Sequence, residues 1–313
     1  MRIVFMGTPD FAVGALRAIV EAGHQVVAVI TQPDKPKGRS KELQITPVKA
    51  CALEYGIPVF QPVKIRLPEA VEQLRTYEAD VFVVAAFGQI LSEEILSMPR
   101  YGCVNIHASL LPKYRGAGPI QWAVIDGEKE TGITIMQMDK GIDTGDILLQ
   151  KTVPIDAHET GESLFTKLEK TGAELIVEAL PKIERGELKP VRQQEEKASY
   201  AKMLDKSMGE INWQESAQKL DCLIRGLISW PGAYTHYRGK TLKIWKEEPA
   251  AGWADAAYEP GTICEVGKDH FCVQTGEGAL LIREVQLEGK KRMAVKDFLL
   301  GCHMTSGEKL GEK

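Results

Sequence analysis

Arg2-Ile3-Val4-Phe5-Met6-Gly7-Thr8-Pro9-Asp10-Phe11-Ala12 decides how the first half of this chain is read. Ile3 to Met6 is an unbroken apolar run, short enough for a buried strand. Gly7 to Asp10 is a turn, and residues 11–22 fit a helix closed by Gly23. A second strand follows at 25–30. Strand, turn, helix, strand predicts a mostly parallel, doubly wound α/β sheet. A dinucleotide site on such a sheet uses G-x-G-x-x-G in its first turn, so that the backbone can approach the pyrophosphate. Here the turn carries one glycine and a proline, which predicts a Rossmann-like fold without that fingerprint. Asp10, just ahead of the helix, is expected to be its N-cap.

Working outward, helices are expected at 46–55, 68–77, 92–96 and 118–127, with Pro119 in the first turn of the last. Residues 58–61 make a short strand. Residues 80–86 (Asp-Val-Phe-Val-Val-Ala-Ala) are apolar on both faces, as a central parallel strand is. That strand leaves through Phe87-Gly88-Gln89-Ile90, where glycine allows close backbone approach. Strands at 102–107 and 131–138 and a long amphipathic helix at 161–185 complete the half.

The strand at 102–107 carries the chemistry. Alternate residues of a strand share a face, so Asn105 and His107 project together, away from Val104 and Ile106. Ligands of open α/β sheets bind outside the carboxyl ends of the strands. Downstream, Asp139-Lys140-Gly141-Ile142-Asp143-Thr144-Gly145-Asp146 brackets Asp143 between two glycines. Three carboxylates in eight residues could form a metal loop, but the glycine and closing glutamate of an EF-hand are missing. One acid aimed at His107 is the simpler reading. An amide, an imidazole and a carboxylate suit acyl transfer to an amine. The first two stabilise negative charge on a carbonyl oxygen, while the carboxylate favours the charged imidazole or takes the amine's proton, directly or through water. Ser109 lies beside the site without a G-x-S-x-G elbow, which favours direct transfer over a covalent acyl-enzyme.

Totals set the frame. At 313 residues, two domains are the natural expectation. With 44% hydrophobic and 26% charged residues the composition is that of a soluble globular protein. The net charge of -4 excludes a global basic field, so any nucleic-acid contact must be local. The six cysteines form no C-x-x-C pair, which predicts reduced thiols in a cytoplasmic protein and no metal. The start is not a signal peptide, and no apolar run approaches the ~20 residues of a membrane span. One local basic patch stands out: Lys35, Lys37, Arg39 and Lys41 against Asp34 and Glu42, with two prolines and a glycine between. It reads as a mobile loop after a strand's C-terminal end, either a solvated surface or a finger for phosphates.

Residues 1–189 are expected to form the catalytic domain, 190–206 a polar linker, and 207–313 a second domain. The second domain offers a helix at 216–227, short strands at 233–237, 242–245, 261–265, 271–274 and 279–285, and a helix at 295–300. That pattern predicts a small OB-like β-barrel. Lys240, Lys243, Lys246 and the run Lys290-Lys291-Arg292 form either a basic stripe or solvated surface. Trp230 and Trp245 are expected in a core or between domains rather than stacked on bases.

Asn105-Ile106-His107, Ser109-Leu110-Leu111-Pro112-Lys113-Tyr114-Arg115-Gly116 and Gly141-Ile142-Asp143-Thr144-Gly145 together resemble the formyltransferases that use 10-formyltetrahydrofolate. Phe5 to Ala12, the basic loop at 34–42 and Trp230-Pro231-Gly232-Ala233 extend the resemblance to the branch acting on methionyl initiator tRNA. The resemblance implies that Asn105, His107 and Asp143 are the catalytic trio. It also implies that Ser109, Leu110, Leu111 and Pro112 contact the folate, with Phe87, Gly88 and Gln89 along the pterin pocket. Lys35, Lys37, Arg39 and Lys41 would reach the tRNA acceptor end. It implies a formyl-donor cosubstrate, no metal, no membrane partner and a monomer. Two other readings remain beside it: the same chemistry on a nucleotide-sugar amine or glycinamide ribonucleotide, and a non-catalytic RNA-binding protein on an enzyme scaffold.

Overall fold

The computed structural model describes residues 1–37, 42–251 and 258–312. They fall into two compact units. The first comprises residues 1–119, 130–154 and 165–201, and the second 120–129, 155–164 and 202–313. No helix among the described residues is long and apolar enough to cross a membrane.

In chain order the first half contains β1 (Arg2–Gly7), α1 (Phe11–Glu21), β2 (Gln25–Ile30), β3 (Lys35–Lys37), β4 (Glu42–Gln44), α2 (Pro47–Glu54), β5 (Val59–Phe60), α3 (Pro68–Arg75), β6 (Val81–Ala85), α4 (Glu93–Leu96) and β7 (Cys103–His107). After these come β8 (Arg115–Gly116), α5 (Pro119–Ile125), β9 (Glu130–Gln137), β10 (Ile147–Pro154), α6 (Gly161–Glu184) and β11 (Tyr200–Ala201). Seven strands form one sheet in the order β10-β9-β7-β6-β1-β2-β5. The five from β5 to β7 are parallel, β9 runs antiparallel to β7, and β10 at the edge runs antiparallel to β9. All five residues of β6 are buried, as a two-faced apolar strand must be. Helices α3 and α4 cover one face through Ala70, Val71, Leu74 and Ile95. On the other, Phe11 of α1 meets Phe165 of α6 edge-on at 5.7 Å. Gly7 is required where β1 turns into α1: a Cβ there would lie 2.7 Å from Ala12 Cβ and 2.9 Å from the Ala85 carbonyl oxygen.

Three expectations need correction. Asp10 stands at the N-cap position of α1, but its backbone is already helical and its side chain caps nothing; a carboxylate reaches the N2 or N3 amides only from an extended backbone. Thr46, Ser92 and Ser216, all extended, do cap their helices. The basic loop contains paired structure: β3 and β4 form an antiparallel hairpin, Lys35 opposite Gln44 and Lys37 opposite Glu42. Arg39 and Lys41 lie outside the described residues. The linker is also not free. Val191 bridges to Ile147, and β11 pairs in parallel with β8.

The second unit holds α7 (Ala217–Leu227), β12 (Ala233–Tyr237), β13 (Lys240–Pro249), β14 (Ile263–Val266), β15 (Phe271–Gln274), β16 (Ala279–Leu287), β17 (Met293–Ala294) and α8 (Val295–Gly301). Ala217, Leu220, Ile224 and Leu227 put one face of α7 into the core at helical spacing. The antiparallel sheet runs β12-β13-β16-β15-β14, with β17 on β16. Residues 307–311 bond to both edges: the Leu310 amide donates to the Gly261 carbonyl and the Gly311 amide to that of His236, each at 2.8 Å. The chain thereby closes the sheet toward a barrel and shields its edge strands. Trp230 is half exposed rather than in a core. Trp245 is partly buried, with the Arg292 guanidinium 4.6 Å from its ring centroid.

Candidate active site

Strand β7 is buried along its whole length. Ile106 turns to the α6 face, where a Cβ on Gly172 would meet it at 3.0 Å. Asn105 and His107 turn to the opposite face, 9% and 5% exposed. The turn between β9 and β10 brings a carboxylate to both. Asp143 Oδ1 accepts from Asn105 Nδ2 at 3.4 Å, and its Oδ2 lies 3.6 Å from His107 Nδ1. The Gly116 amide donates to Oδ2 at 2.8 Å, the shortest bond the carboxylate makes to these three groups. Three side chains separated by up to 38 residues in sequence therefore meet in one place.

The three acids of the turn do different work. Asp139 accepts from the Gly141 amide at 2.9 Å and from Thr144 Oγ1 at 2.6 Å, so it builds the turn. The Asp146 carbonyl caps the Gln137 amide of β9. Asp143 alone is delivered to Asn105 and His107, from a left-handed backbone (φ 53°) that few non-glycine residues adopt. That conformation is strained, and the surrounding bonds hold it.

His107 Nε2 sits 2.9 Å from the Tyr114 carbonyl oxygen. A carbonyl only accepts, so Nε2 carries the proton and Nδ1 faces the carboxylate. Both ring nitrogens are thus engaged, which leaves Asn105 the freer donor for a carbonyl oxygen.

The residues expected to contact folate divide. Ser109 is fully buried, and its hydroxyl donates to the Lys113 carbonyl at 2.6 Å. Leu111 is buried as well, whereas Leu110 and Pro112 are partly exposed. Phe87 packs in the sheet core. Gln89 spends its side chain on the Ile65 amide and the Pro62 carbonyl. Ala86, Gly88 and Ile90 are the exposed residues of the 86–90 loop, and Gly88, lacking a side chain, presents backbone. Thr8 and Gln32 tie this loop to the ends of β1 and β2 by donating to the Phe87 carbonyl at 3.0 and 3.3 Å.

Of the basic residues, Lys35 is exposed and lines a cleft of about 270 Å³ with Thr8, Gln32 and Gln44. Lys37 enters through its backbone pairing alone. Asp34, counted in the sequence as part of a charged loop, instead anchors the hairpin. Lys49 at 2.5 Å and Gln61 at 2.7 Å hold its carboxylate, and the Lys49 bond, then that of Gln61, draws its pKa down.

Two functional candidates were missed. Gln193 and Arg115 form a buried layer behind Asp143. No periodicity marks Gln193, which lies in a polar run. In the second unit, Glu265, His270 and Cys272 bring three ligand atoms within 4.8 Å, assembled by a hairpin rather than a C-x-x-C pair. Burial, with Cys264 and Glu265 nearby, pushes the Cys272 thiol up to about 12 and keeps its sulfur protonated.

Residues 1–180 match the formyl transferase family and residues 203–303 the formyl transferase C-terminal domain. The chain is 57% identical over 307 residues to a protein of Agathobacter rectalis named methionyl-tRNA formyltransferase, covering 98% of each. It is 55% identical to the protein of that name from Lachnospira eligens, covering 100% of each. Among solved structures, the sugar 3N-formyl transferase WlaRD, determined with dTDP and 5-N-formyl-THF, superposes with a TM-score of 0.67 at 22% identity, over 93% of this chain and 99% of that one.

Proposed function

The chain belongs to the methionyl-tRNA formyltransferase family, and we infer that it moves a formyl group from a folate carrier to the α-amine of methionyl-tRNA. The finer reading takes 10-formyltetrahydrofolate as donor and initiator tRNA as acceptor, yielding formyl-methionyl-tRNA for translation initiation in the cytoplasm, with the protein a monomer. The observation that carries it is the meeting of Asn105, His107 and Asp143 at the end of β7, the neighbour of β6 in the sheet.

The donor supplies an activated formyl group on nitrogen. Its flat, polar ring suits the exposed residues Ala86 and Gly88, with Leu110 and Pro112 as apolar neighbours. In the transfer, the acceptor amine bonds to the formyl carbon and loses a proton, and the bond from that carbon to the folate nitrogen breaks as that nitrogen gains one. Asn105 Nδ2 donates to the formyl oxygen as negative charge develops there. Asp143 takes the amine's proton, directly or through water. Its Oδ2 lies 3.6 Å from His107 Nδ1, and the proton passes to the ring when the two close to hydrogen-bond distance. The resulting imidazolium adds positive charge where the transition state needs it. The Tyr114 carbonyl fixes the ring for this by holding Nε2–H.

Lys35 and Lys37 of β3, together with Arg39 and Lys41, are proposed to grip acceptor-stem phosphates. The OB-like domain, taken as residues 207–313 after a linker at 190–206 and a catalytic domain at 1–189, is proposed as the second tRNA contact.

The test is formylation with 10-formyltetrahydrofolate and four acceptors: methionyl initiator tRNA, free methionine, a dTDP-amino sugar and glycinamide ribonucleotide. Only the charged tRNA should be formylated efficiently. Free methionine used with equal kcat/KM would overturn the tRNA reading, and preference for either nucleotide would reassign the acceptor.

A further inference from the structure

We propose that Gln193 is a positioning residue for this reaction, locking the backbone under Asp143 from a late segment of the first unit. The proposal rests on the reading of Asp143 as the catalytic carboxylate. Gln193 is 7% exposed and every arm of its amide is used. Nε2 donates to the carbonyls of Asp143 at 2.8 Å and Gly145 at 2.7 Å. Oε1 accepts from Arg115 Nε at 3.1 Å. Arg115, with no exposed surface, is itself gripped by the Glu195 carboxylate through both terminal nitrogens at 2.9 and 3.0 Å. That fork holds the guanidinium ionised and draws the Glu195 pKa down.

Asp143 is therefore held from both ends by one two-residue strand. The Gly116 amide takes its carboxylate directly. Arg115, the residue before, takes its backbone through Gln193. The segment that supplies Gln193 is fixed on two sides of the turn. Val191 exchanges hydrogen bonds with Ile147 at 2.8 and 2.9 Å, just after the turn, and β11 pairs with β8. Gly116 is glycine because this pairing is close: a Cβ there would lie 2.7 Å from the Ala201 carbonyl oxygen, at a φ of 109°. Asp143 occupies a left-handed backbone, which persists only where its surroundings over-determine it. The Gln193 amide supplies that determination, and without it two carbonyls lose a donor and the turn relaxes.

The experiment is steady-state formylation of methionyl initiator tRNA by the full-length wild type and the variants Gln193→Met, Gln193→Glu, Asp143→Asn and Gln193→Met/Asp143→Asn. Gln193→Met should lower kcat about 10- to 100-fold, as displacement of a reacting group by about an ångström does, with both KM values within about twofold. Gln193→Glu keeps the acceptor for Arg115 but turns acceptor oxygens toward the two carbonyls, and should fall at least as far. In the Asp143→Asn background, Gln193→Met should cost little more, because its effect passes through that carboxylate. Unchanged kcat, a loss carried by KM, or a full additional loss in the Asp143→Asn background would overturn the proposal. Should Gln193→Met fail to fold by circular dichroism, Gln193→Glu carries the same comparison. Wild type inactive on charged tRNA would instead reject the acceptor, and Asp143→Asn at full speed the catalytic carboxylate, so these failures are told apart.

Discussion

Glu247→Gln should remove much of the pH dependence of the second unit's stability. Glu247 lies on β13, which packs against α7. Its Oε2 is buried without a hydrogen-bond partner among the described residues. Burial, reinforced by the charge of Asp221, pushes its carboxyl up to about 8. Arg225 pulls the other way but is committed elsewhere. Two of its nitrogens donate to Asp221 Oδ2 at 3.0 and 2.7 Å, and a third donates to the Glu159 carbonyl at 2.7 Å. In the unfolded chain the carboxyl ionises near its ordinary 4.5. Between these two values the folded state keeps a proton that the unfolded state has lost. Stability therefore falls as pH rises through the window and levels off above it. At 1.36 kcal/mol per pH unit the full loss is about 5 kcal/mol, and partial solvation reduces it to roughly 2–5 kcal/mol. Urea unfolding followed by tryptophan fluorescence reads chiefly this unit, because the four described tryptophans (residues 122, 213, 230 and 245) all belong to it. Between pH 5 and 8.5, which covers most but not all of the window, wild type should lose roughly 2–4 kcal/mol more than Glu247→Gln, which should be the more stable chain at pH 8.5. Equal losses in the two would refute the reasoning.

His107→Ala should lower kcat roughly 10²–10⁴-fold, the span for a lost acid–base group; turnover unchanged from wild type would remove the ring from the mechanism. Replacing Lys35, Lys37, Arg39 and Lys41 together by Gln should raise KM for tRNA and make log kcat/KM less steep in log salt, by up to about 3 for four phosphate contacts, while the folate KM stays put. A tRNA KM and salt slope equal to wild type would mean that these side chains are merely solvated.

Much of the first unit was legible because local rules governed it. Val81 to Ala85 is apolar on both faces and became a buried central strand, and alternation put Asn105 and His107 on one face of β7. The two glycines bracketing Asp143 marked a turn, though not its direction, which depends on Asp139 and on a glutamine 50 residues away. Gln193 looked like linker because a buried amide paired with backbone carbonyls leaves no pattern in its neighbours. The hairpin at β3 and β4 was hidden by its prolines and charges; its anchor, Asp34 on Lys49 and Gln61, is non-local. Asp10 misled because residue preference at a helix start does not fix the backbone angle that capping needs. The five main strands of the second unit were readable from their spacing, but its closure by residues 307–311 was not, since those bonds are backbone to backbone and independent of residue type.

The most direct test is a single-turnover measurement with enzyme saturated by 10-formyltetrahydrofolate and methionyl initiator tRNA, comparing wild type with Asp143→Asn. The amide retains the shape and can still accept from the Gly116 amide, but it cannot take a proton. Formyl transfer should slow by roughly 10²–10⁴-fold while tRNA and folate still bind as in wild type. Transfer at the wild-type rate would contradict the account.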